Sequence, residues 1–323
     1  MTAELEGYTR TTFVSHRKAH DVFVTGSGPA VIVISEIPGI TPRVADFGRR
    51  VASIGCTAWL PSLFGTPGKP PSNSYALRSL IPACISGEFT ALATGKASPV
   101  TTWLRALAHH AHEECGGPGV GAVGMCFTGG FALAMMVDDV VTAPVLSQPS
   151  LPMPLGARRK RDLGISDEDL ATVKQRCEND ASLCVLGLRF TGDKASPAER
   201  FQHLRDELGD HFVAVEIDSS PGNPYGHPRN AHSVLTEHLQ DTEGTPTRDA
   251  LDRVLELFRS RLVNHPAPTQ QPTAADALAA AAEPAAAVEV AASAEAAPTA
   301  AAPPLGEPAT TEPPDATNSP APA

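Results

Sequence analysis

Strand-like and helix-like segments alternate from about residue 20 to residue 262. They predict an α/β fold, a doubly wound, mostly parallel sheet of about seven or eight strands with helices on both faces. Two stretches anchor that expectation. Ala30-Val31-Ile32-Val33-Ile34 is an unbroken apolar run without polar alternation, as expected of a central parallel strand covered on both faces. Val120-Gly121-Ala122-Val123 leads into Gly124-Met125-Cys126-Phe127-Thr128-Gly129-Gly130 and then into apolar Phe131 to Val137. That succession reads as a buried strand, a sharp glycine-rich turn and a buried helix.

Taken in order, residues 1–29 read as an N-terminal hairpin. Thr11 to Val14 and Asp21 to Val24 are strand-like, and Gly26-Ser27-Gly28-Pro29 is a turn. The Ala30–Ile34 strand ends at Ser35-Glu36-Ile37-Pro38-Gly39-Ile40. Residues 43–54 show helical spacing of Val44, Phe47, Val51 and Ile54, and Gly55 ends the helix. Cys56 to Leu60 is the next strand, broken by Pro61. Residues 74–94 have helical spacing interrupted by Pro82, and Pro99 to Cys115 is a long helix. Val140 to Leu146 is a strand, followed by a proline-rich and then basic connection to Arg161, whose Arg158-Arg159-Lys160-Arg161 reads as a solvated loop. Ser166 caps a helix with an acidic first turn. Strands at Ser182 to Phe190 and His211 to Ile217 flank a helix at 197–209. Leu251, Val254, Leu255, Phe258 and Leu262 make the stripe of a closing helix at 248–262.

Of the net eleven negative charges, seven lie beyond Arg261, where there is no Lys or Arg; the body carries −4. A nucleic-acid binder has no support in that balance. The last 58 residues or so are rich in Ala, Pro, Thr and Glu without an aromatic, so the expected division is a body at 1–265 and a disordered tail at 266–323. Six scattered cysteines with no C-x-x-C pair fit a reduced, cytoplasmic protein. Neither a secretory signal nor a membrane-length apolar run is expected. His109 and His112 could share a helix face, but no third ligand is spaced for a metal, so a solvated face is the expectation.

The chemistry concentrates at strand ends. In Gly124–Gly130, small residues make room for a strained strand-to-helix turn, and the following helix N-terminus favours a thiolate at Cys126. A buried packing cysteine is the plain competing reading. Asp193 in Thr191-Gly192-Asp193 and His232 in Ala231-His232-Ser233 follow the later strands, giving the order nucleophile, acid, histidine. A helix cap for Asp193 and a loop hydrogen-bonder for His232 are their structural alternatives. Glu36 also stands just past a strand's carboxyl end, where open α/β sheets place ligands.

These pieces, Ser35 to Gly39, Gly124 to Gly130, Thr191 to Asp193 and Ala231 to Ser233, resemble the dienelactone hydrolase family of α/β-hydrolases. The resemblance implies an α/β-hydrolase fold and a Cys126-His232-Asp193 triad. It implies that Glu36 handles the resting thiol and its proton, and that the Ile37 and Phe127 backbone N–H groups form an oxyanion hole. The implied reaction is hydrolysis of a small-molecule ester, lactone or related acyl bond through a thioester, without metal or cofactor and without a nucleic-acid or membrane partner; a monomer is the simplest expectation. The family grips a substrate carboxylate with arginines, one of them four residues past the triad histidine. Thr236 stands there in this chain, and Arg78 is a loose match to the other arginine. A neutral or mono-anionic acyl compound is therefore expected. Two rivals are a cysteine enzyme of the glutamine-amidotransferase or DJ-1-like class and a non-catalytic binding protein of the same fold.

Overall fold

The computed structural model describes residues 5–85, 89, 99–151 and 156–264, with the side chains of 81–85 excepted. The tail expected at 266–323, the side chain of Cys84 and most of the second half of the 74–94 helix lie outside what is described.

Eight strands form one sheet in the order β1-β2-β4-β3-β5-β6-β7-β8. They are β1 (Thr9–Ser15), β2 (Lys18–Gly26), β3 (Ala30–Ile34), β4 (Thr57–Pro61), β5 (Val120–Met125), β6 (Val141–Ser147), β7 (Val185–Phe190) and β8 (Phe212–Ile217). The hairpin β1–β2 turns at His16 and Arg17, both at positive φ, and β2 pairs antiparallel with β4. All pairs from β4 through β3 to β8 are parallel. Helices α1 (Pro42–Ser53), α2 (Asn73–Ile85), α3 (Pro99–Cys115), α4 (Gly129–Met135), α5 (Ala157–Arg161), α6 (Asp167–Asn179), α7 (Ala198–Leu208) and α8 (Pro246–Phe258) connect or close them.

The two-residue period of the strands sorts the core. In β3, Val31 and Val33 pack with α1 and α8, through Val44, Phe47, Val51, Leu251, Val254 and Phe258. Ile32 and Ile34 face the other way, against Trp103, Leu104 and Leu107 of α3 and Phe131 of α4. All five residues of β3 are fully buried. Burying an Ile or Val side chain stabilises the fold by about 1.5–3 kcal/mol, which explains why this strand carries no polar residue.

Several boundaries differ from expectation; β7, for example, starts at Val185 rather than Ser182. Pro61 does not break β4 but ends it, opposite Val22 of the antiparallel neighbour; at a strand terminus its missing N–H costs little. Pro82 does not interrupt α2, whose backbone stays helical to Ile85. The basic stretch 158–161 is not loop but part of α5, docked on α7 by Lys160–Glu199 (2.9 Å) and Arg161–Asp206 (3.0 Å). Among the described residues no helix is long and apolar enough to cross a membrane.

Candidate active site

Strand order reverses between β3 and β5, and the register puts Ile34 opposite Gly124. Glu36 and Cys126 each lie two residues beyond that pair, so the topology brings them to one level at the carboxyl edge of the sheet. This is the switch point at which doubly wound sheets bind ligands. The later strands end at Phe190 and Ile217, also in register, and the loops after them carry Asp193 and His232 to the same edge.

The turn at Cys126 is tight. Its φ is 57°, a left-handed conformation that costs a non-glycine residue roughly 1–2 kcal/mol. The surroundings hold it there. A Cβ on Gly124 would overlap the Thr128 carbonyl oxygen, and one on Gly129 would sit 2.5 Å from Pro149 Cα. The Thr128 hydroxyl accepts the Met125 N–H at 2.9 Å and lies 2.9 Å from the Ile34 carbonyl, to which it can donate. One side chain thus ties the turn to the end of β3. The Cys126 carbonyl accepts from Ser150 N–H at 2.8 Å. A single 3-10 turn, Cys126–Thr128, leads into α4.

His232 Nδ1 lies 2.6 Å from Asp193 Oδ2, and the imidazole also hydrogen-bonds the Cys126 sulfur. Burial pulls the imidazole pKa down, but the adjacent Cys126 charge and the Asp193 hydrogen bond outweigh it and raise the value to about 11. Asp193 is buried, and its second oxygen accepts the Ala195 N–H at 2.9 Å in an Asx-type turn. It does not cap α7, whose N-cap is Pro197.

Glu36 is 5 % exposed and makes contacts that the sequence did not suggest. Ser233 Oγ donates to Oε2 at 2.6 Å, Thr236 Oγ1 donates to Oε1, and Gln148 Nε2 approaches Oε2 at 3.4 Å. Gln148 Oε1 in turn accepts the Val234 N–H at 3.2 Å, from a backbone at φ 35°. The carboxylate is thus held by neutral donors, and Thr236 fills the space beside it. Ile37 and Phe127 N–H have no hydrogen-bond partner among the described residues; Phe127 is at the start of a helical turn, where amides are unsatisfied. A cavity of about 250 Å³ opens beside Ile37, lined among others by Glu36, Asn73, Ala76, Ser233 and Glu237; Cys126, Phe127 and His232 do not line it. Burial, and then the neighbouring Glu36 charge, push the Glu237 carboxyl pKa up against the opposing pull of Arg43, which lies 3.3 Å away.

Arg78 does not line this cavity. It is exposed on α2, five residues from Asn73 and two from Ala76, on a different side of the helix from both. Arg105 is bound to Asp138 (Nε to Oδ2, 2.9 Å). His109 meets the same Asp138 at 3.3 Å and His110 stacks on Phe13; no group of residues suited to a metal exists among the described residues.

Two buried arginines escaped the sequence reading because Arg ordinarily signals surface. Arg189 donates to the Thr191 and Ser196 carbonyls at 3.0 and 2.9 Å and pairs with Glu216, bracketing the loop that carries Asp193. Arg200, 1 % exposed, donates to the carbonyls of Pro149 (2.7 Å), Arg159 (3.1 Å), Asp162 (2.6 Å) and Ala195 (3.2 Å). Burial lowers its pKa to about 10, with Asp162 and Asp193 opposing.

A strained, glycine-walled turn between a central strand and a helix, at the switch point of an eight-stranded, mostly parallel sheet, defines an α/β-hydrolase fold. Solved structures share it. A dienelactone-hydrolase-like protein from Klebsiella pneumoniae subsp. pneumoniae is 18 % identical, with a TM-score of 0.52 over 78 % of this chain and 97 % of its own. The dienelactone hydrolase from Anabaena variabilis is 13 % identical, with a TM-score of 0.50 over 79 % and 98 %. At such identities the likeness shows the fold alone. The family model for dienelactone hydrolases matches residues 19–262, and the chain belongs to the dienelactone hydrolase family and is a hydrolase. None of the curated proteins matches this sequence.

Proposed function

We propose that the protein hydrolyses a small carboxylic ester, lactone or related acyl compound through a thioester on Cys126. The observation that carries this reading is the line of contacts Asp193–His232–Cys126, with the cysteine at φ 57°. A thiol needs a base or a field to become a good nucleophile. His232 takes the thiol proton, and Asp193 holds the ring with Nδ1–H toward itself and Nε2 toward sulfur. Sulfur attacks the acyl carbon, and the carbonyl oxygen becomes an oxyanion facing the free N–H groups of Ile37 and Phe127. One such donor contributes roughly 2.7–4 kcal/mol to the transition state. The imidazolium gives its proton to the departing alkoxide, leaving the thioester. His232 then deprotonates a water that attacks the thioester carbon, and the proton returns to sulfur as the acid is released.

Glu36 is proposed to hold Ser233, the neighbour of His232, in place. Managing the resting thiol proton, as the family resemblance implies, requires Glu36 to exchange a hydroxyl partner for the sulfur. The cavity supports a neutral substrate over an anionic one, because its lining contains two carboxylates, Glu36 and Glu237, and no arginine. Arg78 remains at most a peripheral contact in this reading.

The test is p-nitrophenyl acetate hydrolysis by wild type and Cys126→Ala, followed by a panel of neutral and carboxylated lactones and esters. Loss of activity in the variant with preference for neutral compounds is expected. Equal rates in wild type and variant remove the enzyme reading in favour of a binding protein of the same fold.

A further inference from the structure

The segment after β8 is a loop that carries Ala231-His232-Ser233 to the site and runs on past Thr236. The chain turns back on itself there. His238 N–H donates to the Ser233 carbonyl at 3.0 Å. Its Nδ1 lies 3.3 Å from His232 N and 3.2 Å from Ser233 N. Both of those groups are backbone N–H and can only donate, so Nδ1 has to be the acceptor and the proton has to reside on Nε2. The two residues served are the ones that matter on either side. His232 carries its ring to Asp193 and Cys126, and Ser233 carries its hydroxyl to Glu36.

We propose that His238 is a positioning residue: its Nδ1 holds the His232 and Ser233 amides together and so orients the imidazole and the Glu36 carboxylate as one unit. This rests on the reading that His232 acts on Cys126. The groups facing the His238 ring are His232, His227, Glu36 and Asp193, with the Phe190 ring edge-on at 6.1 Å. Burial and the two histidines keep the His238 pKa below the ordinary histidine range, with both carboxylates opposing, so the acceptor form prevails at neutral pH. Protonation of Nδ1 turns an acceptor into a third donor against two N–H groups and releases the turn. Activity therefore falls on the acid side as His238 protonates.

An asparagine at 238 separates these roles from space filling, because its Oδ1 can take the Nδ1 place and does not titrate. The full-length His238→Asn and His238→Ala chains are compared with wild type in kcat and KM for p-nitrophenyl acetate against pH, with thermal melts alongside. Long-range proton–nitrogen NMR on the wild-type imidazoles reports which ring nitrogen carries the proton. The expected result is a proton-free His238 Nδ1 at neutral pH. Asn keeps kcat within about threefold and extends activity to lower pH; Ala loses about tenfold or more in kcat with KM within about twofold, the pattern of misplaced catalytic groups rather than lost binding. Equal kcat in Ala and wild type, an Asn chain as slow as Ala, or a protonated Nδ1 at neutral pH each overturn the proposal. Should Ala not fold, the Asn chain and the NMR measurement decide. If wild type hydrolyses none of the esters, the proposed function fails, while the NMR arm still judges the His238 hydrogen bonds.

Discussion

Asp193→Asn probes the proposed reaction with a change of one atom. Asp193 Oδ1 accepts the Ala195 N–H at 2.9 Å, and Oδ2 faces His232 Nδ1 at 2.6 Å. Asparagine keeps one of these contacts only. If its oxygen stays on Ala195, its NH2 meets Nδ1 and forces the imidazole proton onto Nε2, where it faces the sulfur and cannot accept the thiol proton. If the amide flips, NH2 meets the Ala195 N–H, and a buried donor loses its acceptor at a cost of about 1–3 kcal/mol. In either state the charge-assisted bond to the imidazolium is lost, a further 1.5–3 kcal/mol or so. The sum of roughly 2.5–6 kcal/mol corresponds to a kcat lower by roughly 10²–10⁴-fold. The assay is p-nitrophenyl acetate hydrolysis under saturating ester, with circular dichroism to verify the fold. A kcat within about threefold of wild type in a folded Asp193→Asn chain would refute the assignment of Asp193 as orienter.

Three further outcomes follow from the same geometry. Thr128→Val removes the acceptor of the Met125 N–H and the donor near the Ile34 carbonyl; we expect a loss of about 1–3 kcal/mol, at about 2–4 °C per kcal/mol in Tm, by thermal denaturation. Gly124→Ala drives a Cβ into the Thr128 carbonyl, and the chain is expected to lose ester hydrolysis and melt at lower temperature, whereas Gly116→Ala, with open space around it but a φ of 67°, costs roughly 1–2 kcal/mol of stability and keeps wild-type kcat. The His232 pKa is raised from 6.5 to about 11, so its protonated form contributes stability that is fully present below 6.5 and lost as pH rises through about 11. Urea midpoints of wild type and His232→Gln should therefore converge as pH climbs toward 11; a gap independent of pH contradicts the ion-pair account.

The fold was legible where one residue type decides the outcome. The short, β-branched run Ala30–Ile34 fits a strand buried on both faces, and Gly124 can only be glycine under the Thr128 carbonyl. Strand order was not legible, because nothing local in β3 or β5 states that they are neighbours; yet that adjacency brings Glu36 to the level of Cys126. Asp193 and His232 could be picked out as loop residues after late strands, since acid and histidine stand in hydrolase order. Gln148, Ser233 and His238 could not, and Thr236 was marked only as standing where the family's arginine would be, not as a partner of Glu36. Their contacts run between loops, and a Gln or Ser in a loop has no periodicity to mark it. Arg200 was hidden for a different reason: a guanidinium satisfied by backbone carbonyls carries no partner residue type for sequence reasoning to find.

Arg200 has a practical bearing on recombination. Its guanidinium serves as a shared anchor for backbone at Pro149, Arg159, Asp162 and Ala195, so the stretch after β6 and the one after β7 are not independent modules. A chimera that imports residues 149–162 from a relative while keeping this α7 inherits carbonyls shaped for a different anchor. Crossover points placed to carry Arg200 with both stretches keep the Asp193 loop intact; a crossover between 162 and 195 divides the anchor from its clients and sacrifices the site even when every imported residue is compatible with the core.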